Sequence, residues 1–190
     1  MRRRLISAML LILTASCLFA TRGGGYISTA LGIEIPLAGY EISGDVTRGV
    51  STVDYFDAGG RLDISAGYMF NDWAGLGFGT GLVYSGTDMV AFDDMFIIPF
   101  TADILIDPGT GNISFPLVLS VGGHVQFLDD TFGLGPAFGL SAGIMIRPTE
   151  SFSIGWNARA DLLMQFADDF ETTTCQIFLA PLQVQMTCSL

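Results

Sequence analysis

The sequence predicts an all-β chain folded as an eight-stranded, antiparallel, up-and-down transmembrane β-barrel, and three observations carry that prediction. Apolar side chains alternate with small or polar ones through block after block, which is the period of a strand and not of a helix. Half of the 190 residues are apolar and only 14% are charged, against about 25% in ordinary soluble domains. The connections between blocks alternate between short turns and mostly longer acidic stretches, the asymmetry of barrels whose two ends face different sides of a membrane.

The N-terminus stands apart from this pattern. Residues 1–20, MRRRLISAMLLILTASCLFA, combine Arg2, Arg3 and Arg4 with an apolar run from Leu5 to Leu13 and small residues before a cut after Ala20. This is the layout of a secretory signal peptide. A membrane anchor is the competing reading, but the run is short of the about 20 residues a spanning helix needs. The barrel domain is then 21–190. Cleavage removes three arginines and no acid, leaving 5 basic against 19 acidic residues and a formal charge of −14. With a pI near 4.1, no lysine and no basic stripe, the chain lacks what meets phosphates, so no nucleic-acid partner is expected. The stretch LTASC around Cys17 resembles a lipoprotein cleavage box, with Thr14 where leucine usually stands. Cys175 and Cys188, if on one extended strand, are about 40 Å apart and do not bridge. No metal site and no cofactor is read.

The blocks follow in order. YISTALGIEIPL sets Ile27, Thr29, Leu31, Ile33, Ile35 and Leu37 against Ser28, Ala30, Gly32, Glu34 and Pro36. RLDISAGYMF sets Leu62, Ile64, Ala66, Tyr68 and Phe70 against Arg61, Asp63, Ser65 and Gly67, and Asn71–Asp72 makes a tight turn. GLGFGTGLVY follows with Leu76, Phe78, Leu82 and Tyr84 opposite four glycines. MFIIPFTADILI puts Phe96, Ile98, Phe100, Ile104 and Ile106 opposite Thr101 and Asp103, and DPGTGN (107–112) turns. FPLVLSVGGHVQF, FGLGPAFGLSAGIMI and FSIGWNARADLLMQF supply strands five to seven, with RPTES turning after the sixth. Strand eight is FLAPLQVQMTCSL, with Phe178, Ala180, Leu182, Val184 and Met186 opposite Gln183, Gln185 and Thr187.

Alternation alone also fits a soluble eight-stranded barrel with an apolar cavity. Its polar face would then meet water, and a soluble surface is about 25–35% charged. Here that face holds six charges over eight strands: Glu34, Arg61, Asp63, Asp103, Arg159 and Asp161. The apolar face therefore reads as the lipid-facing wall. An eight-stranded lumen is barely wide enough for its own side chains, so inward glycines on strands three and six leave room for larger residues such as Arg61 and Arg159. Aromatic residues near strand ends (Tyr26, Tyr68, Phe70, Trp73, Tyr84, Phe96, Phe127, Phe152, Phe166) suit the two membrane interfaces.

Taken together, the signal-like start, eight alternating strands, turn and loop asymmetry, and amphipathic C-terminal strand FLAPLQVQMTCSL resemble small outer-membrane barrels of the OmpA-transmembrane, OmpX and OmpW kind. The resemblance is architectural and covers nearly all of residues 21–190. It implies outer-membrane lipid and the barrel-assembly machinery as partners. That machinery usually reads a terminal aromatic, whereas this chain ends in Leu190. The OmpW-like comparison also implies passage of small apolar molecules, against which the polar inward face counts.

The candidate site is the lumen charge set Glu34, Arg61, Asp63, Asp103, Arg159 and Asp161, with His124 beside it. Buried charges must pair or be hydrated, so the set reads as an internal network that plugs the lumen; a constriction selecting small solutes is the alternative. His124 shares its face with Ser120, but no nucleophile elbow is present. The His-x-Ser pair of one eight-stranded outer-membrane acyl hydrolase family is His124-x-Gln126 here, and no enzyme is expected. The acidic connections, with Asp93, Asp94, Asp129, Asp130, Asp168, Asp169 and Glu171, read as a solvated outer surface facing an unidentified extracellular ligand. The function that follows is a structural or surface-interaction barrel with a largely plugged lumen, or else a narrow pore for small solutes or small apolar molecules.

Overall fold

The computed structural model describes residues 24–43, 46–50, 56–86, 94–108, 111–128, 131–166 and 172–190, so the signal-like segment and Cys17 lie outside the described residues. Among the described residues the strands are β1 (Gly25–Ser43), β2 (Val46–Val50), β3 (Gly59–Met69), β4 (Ala74–Ser85), β5 (Met95–Ile106), β6 (Ile113–Ser114), β7 (Leu117–Leu128), β8 (Thr131–Thr149), β9 (Phe152–Phe166) and β10 (Thr172–Ser189). Eight of them correspond to the eight alternating blocks. They form one antiparallel sheet in the order β10-β9-β8-β7-β5-β4-β3-β1. β1 then pairs with β10 from Tyr26↔Ser189 to Ser43↔Thr172. That pairing closes the barrel and removes the free edges that an open sheet would expose.

The two further strands are β2 and β6. β2 folds back on β1 from Gly39↔Val50 to Ser43↔Val46, while the same stretch of β1 pairs with β10 on its other side. A three-stranded extension therefore rises past the rim, where the sequence reads as an acidic connection. β6 pairs Ile113 with Ile146 and Ser114 with Met145. Pro116, which has no N–H to donate, separates it from β7. The connection between β7 and β8 is also shorter than expected: Leu128 pairs with Thr131, so only residues 129–130 intervene.

The two barrel ends differ in kind. At one, the turn end, Asn71 Oδ1 accepts hydrogen bonds from the N–H groups of Trp73 (3.0 Å) and Ala74 (2.8 Å), which locks the β3–β4 turn. The opposite, loop end carries the connections after β2, β4, β7 and β9.

Register irregularities change which face two residues occupy. The β10–β9 ladder slips between Ala180 and Gln183, around Pro181, as expected where proline interrupts a ladder. The sequence alternation puts Phe178 and Ala180 outside with Leu182. Beyond the slip they point inward, 1% and 0% exposed. A bulge adds a residue to one strand and so reverses the facing of everything beyond it.

The outer wall is apolar as expected, with Phe78 77% exposed and Phe100, Leu119, Leu140, Ile144, Trp156 and Leu182 all open to the surroundings. Aromatic side chains gather toward both rims. Tyr68 and Phe70 stack with centroids 6.1 Å apart near Trp73 at the turn end. Tyr84–Phe96 and Phe127–Phe132 lie 5.2 and 5.7 Å apart at the loop end. Two of the aromatic residues expected at the interfaces do not belong there. Tyr26 is buried inside the barrel at 6% exposure, and Phe152 lines an internal cavity. Tyr26 shares its strand face with the buried Ser28 and Ala30.

The glycine row of β4 has a direct cause. A Cβ on Gly79 would stand 2.6 Å from Asp103 Oδ2 and 2.7 Å from Thr101 Oγ1; one on Gly81 would stand 2.9 Å from Asp63 Oδ1; one on Gly77 would collide with the Tyr26 hydroxyl. Each glycine is the space a polar side chain from another strand occupies. On β8, Gly139 makes the same room for Arg159 and Asp161. Gly81→Ala should therefore destabilise the folded barrel by about 1–3 kcal/mol. Gly60→Ala, whose Cβ would meet nothing within 4 Å, should stay within about 0.5 kcal/mol. Denaturant unfolding in detergent micelles measures both.

Candidate functional site

Strands β1, β3 and β9 carry the centre of the lumen. Arg61 lies on β3 opposite Gly32 of β1 and Val83 of β4, with its side chain 2% exposed. Its Nε donates to Asp63 Oδ2 at 2.7 Å. Its Nη1 donates to Glu34 Oε1 at 3.2 Å and also to Asp161 Oδ2. One guanidinium thus joins three carboxylates from three strands. Asp161 is shared: Arg159 approaches it through Nε, 3.1 and 3.0 Å from its two oxygens, and through Nη2 at 3.0 Å. Gln183 of β10 donates Nε2 to Asp63 Oδ2 at 2.7 Å. Glu34, Arg61, Asp63, Arg159 and Asp161 are therefore one continuous network, and Gln183 belongs to it although the sequence reading placed it only on the inward face.

Asp103 and His124 stand outside that network. Asp103, 4% exposed, accepts from Thr101 Oγ1 at 2.8 Å. His124, 2% exposed, sits on β7 opposite Pro99 and Gly135. The backbone of Gly135 and Pro136 is close to its ring, but neither ring nitrogen makes a well-formed hydrogen bond, and neither does Ser120 Oγ. A Ser–His–Asp relay needs a hydrogen bond from nucleophile to base and from base to carboxylate. His124 makes neither.

The layers on either side of the network differ in polarity. Toward the loop end, Val83, Met95, Ile97, Ala137, Leu163 and Phe178 form one buried apolar cluster inside the barrel, with Phe56 packed against it. The segment bearing Phe56 is held over this end by the Asp57 N–H donating to the Gly86 carbonyl at 2.9 Å and by Ser85 Oγ donating to the Asp57 carbonyl. Alternation could not reveal this cluster, because Phe178 reaches it only through the slip at Pro181 and Phe56 only from a connection. Toward the turn end the barrel widens into a cavity of about 580 Å³ whose walls include Tyr26, Asp103, Leu105, Met145, Arg147 and Gln185. Arg147 pairs there with Asp107. The sequence reading assigned both residues to turns, yet Arg147 continues the inward odd-numbered row of β8 through Ser141, Gly143 and Met145, which was the available signal.

Of the acidic connection residues, Asp94 is described: it is exposed and accepts a hydrogen bond from the Tyr84 hydroxyl at 2.8 Å. Asp93, Asp129, Asp130, Asp168, Asp169 and Glu171 lie outside the described residues. Cys175 and Cys188 share strand β10 and form no disulfide.

Comparison with known proteins agrees with this architecture. A protein-family model matches residues 14–186. No curated protein sequence matches. The structure is similar to the crystal structure of Neisserial surface protein A (NspA), with 15% identity over 88% of this chain and 98% of that one, at a TM-score of 0.55. It is also similar to the outer membrane protein OprG from Pseudomonas aeruginosa, with 13% identity over 90% of this chain and 99% of that one, at a TM-score of 0.53. At these identities the likeness is one of fold.

Removing the shared guanidinium leaves Glu34, Asp63 and Asp161 facing one another in a closed space. Arg61→Ala should cost about 3–5 kcal/mol, the range for stranding a buried charge. Arg159→Ala should cost less, because Asp161 keeps its bond to Arg61. Unfolding of the two variants in parallel, in the same detergent, measures the difference.

Proposed function

We propose that this chain, which belongs by fold to the small eight-stranded outer-membrane barrels, is an integral outer-membrane protein with a closed lumen, serving a structural or surface-interaction role through its loop end. The single observation that carries this reading is that two unlike barriers lie in series inside the barrel. The ion-pair network around Arg61 crosses the middle, and the apolar cluster around Phe178 lies on its loop-end side. An ion crossing the first would have to replace several charge-assisted bonds at once. It would then enter a region with little to solvate it.

Several observations support placement in a membrane. Side chains as large as Phe78, Phe100, Trp156 and Leu182 stand outward without protein neighbours to cover them. A continuous apolar wall of that kind is costly in water and matched to lipid. The rim aromatics at both ends suit the two interfaces. The turn end, with its short connections, is assigned to the periplasmic side and the loop end, with Tyr84, Asp94 and the acidic connections, to the outside. A narrow pore for small solutes is the second reading, and the turn-end cavity is the observation in its favour. That cavity ends against the charged layer, so the pore reading requires the network to rearrange.

Folded protein in detergent should migrate differently on gels before and after boiling, and should aggregate when detergent is withdrawn; a water-soluble monomer would defeat the membrane assignment. Reconstituted into planar bilayers, it should show no steady openings. Arg159→Ala should remain silent as well, because the Arg61 pairs and the apolar cluster still stand. Stable single-channel steps from the unaltered protein would replace the closed-barrel reading with the pore.

A further inference from the structure

The floor of the turn-end cavity contains an arrangement that a closed barrel has no need of. Between the cavity and the charged layer lies a smaller space of about 50 Å³, and Ser28, Ser65, Asp103 and Gln185 belong to the walls of both. Asp63, Asn157 and Gln183 line the smaller space as well. Several hydrogen bonds around it can be followed by direction. Gln183 donates its amide N–H to Asp63, which fixes the amide's orientation and leaves Oε1 as its acceptor end. Gln183 is 0% exposed, and that oxygen accepts no hydrogen bond from the protein. Asn157 donates Nδ2 to Gln185 Oε1 at 2.7 Å, and its own Oδ1 is left in the same state. Gln185 donates Nε2 to Ser28 Oγ at 2.8 Å, Thr187 Oγ1 donates to the same oxygen at 2.9 Å, and Ser28 donates onward to the Met186 carbonyl at 3.2 Å. Thr101 donates to Asp103 Oδ1. Asp103 Oδ2 occupies the room that Gly79 leaves.

The donors named here are thus turned onto protein, and the space has the two carboxylate residues Asp63 and Asp103 in its wall, Asp103 holding one hydrogen bond from Thr101. The cation that lines the space, Arg159, is held by Asp161. A guest suited to such a lining brings hydrogen-bond donors, no acceptors and a positive charge. A primary ammonium is that group: three donors and no acceptor. A space of about 50 Å³ is close to the size of one small polar head, a water occupying about 30 Å³ in the liquid. The cavity of about 580 Å³ that leads to it is in the range of small-molecule sites, about 300–1,000 Å³. Its wall adds apolar surface from Leu105, Val118 and Met145 beside the Tyr26 ring. We propose that the turn-end cavity is a binding site for a small organic cation, its ammonium head seated on the Asp103 carboxylate, which lines both spaces, and its apolar body in the wider cavity. This goes beyond the closed-barrel reading and does not depend on whether the lumen conducts.

The test uses the folded barrel in detergent micelles, with benzylammonium as the probe, benzyl alcohol as its uncharged counterpart and sodium chloride as the inorganic cation. Nuclear magnetic resonance follows the side-chain amides of Asn157 and Gln183. Benzylammonium should give saturable shifts at both, benzyl alcohol should bind at least about tenfold more weakly, as a lost charge-assisted bond implies, and sodium should not reproduce the shifts at equal concentration. Asp103→Asn, which keeps the shape and removes the charge, should weaken benzylammonium binding by about fivefold or more while the gel shift on boiling persists. Four outcomes overturn the proposal: no saturable shift with the unaltered protein, as when water alone satisfies these oxygens; equal binding of benzyl alcohol; shifts produced by sodium alone; or unchanged affinity in a folded Asp103→Asn variant. Conductance of the same preparation, measured without probe, reports separately on the closed lumen.

Discussion

Arg61 is a guanidinium at 2% exposure inside a barrel whose lumen is hardly wider than its side chains, and it sets the terms for what surrounds it. Burying a charge of that kind is tolerable only with opposite charge at hydrogen-bond distance. The pairing supplies three carboxylates, two from β1 and β9 and one from two residues along β3. Those carboxylates bring a surplus of negative charge, which Arg159 reduces by pairing with Asp161, while the neutral amide of Gln183 adds a hydrogen bond to Asp63. Each partner is fixed by another, so the network ties β1, β3, β9 and β10 across the lumen as well as along their ladders. In particular it bridges the β1–β10 seam, where the first and last strands of the barrel meet.

That density of polar side chains explains the backbone around it. Long side chains crossing a narrow lumen need positions with no side chain at all, and these fall where a strand faces Asp63, Asp103, Tyr26 or Arg159. Glycine lowers the intrinsic stability of a strand, having no side chain to pack and more entropy to lose. Here the neighbours fill the space. The outward positions of the same strand remain large and apolar, Leu76, Phe78 and Leu82 all being exposed. A single strand therefore follows two rules at once, one for each face.

How much of this was legible in the sequence depends on what each feature is made of. The eight strands, their alternation and the inward placement of Glu34, Arg61, Asp63, Arg159 and Asp161 follow from a period of two, which the backbone enforces. The bulge at Pro181 breaks that period, so alternation places Phe178 and Ala180 on the wrong face and does not reveal the apolar cluster. Proline within the block was the local signal, but its consequence depends on which partner strand absorbs the extra residue. Pairings such as Arg147 with Asp107, or Gln183 with Asp63, join residues 40 and 120 positions apart. They depend on the stagger of strands around the barrel, which no single strand encodes. β2 was hidden for a different reason: VTRGV carries too short a pattern to stand out beside an acidic connection.

The barrel interior is thus graded along its axis. The apolar cluster lies toward the loop end with Gln126 and Gln176 among its neighbours, charge occupies the middle, and the open cavity lies at the turn end. Plugging a lumen needs only the first two, and an apolar filling throughout would do it without the desolvation that buried ions demand. A carboxylate such as Asp103, buried in the cavity wall with one hydrogen bond from Thr101, is a costly way to line an empty space. The difference between the two halves is chemical as well as geometric. One is packed by the protein's own side chains, and the other presents charge and hydrogen-bonding capacity to whatever enters from the turn side. Chemistry inside this barrel is accordingly to be sought at the turn end.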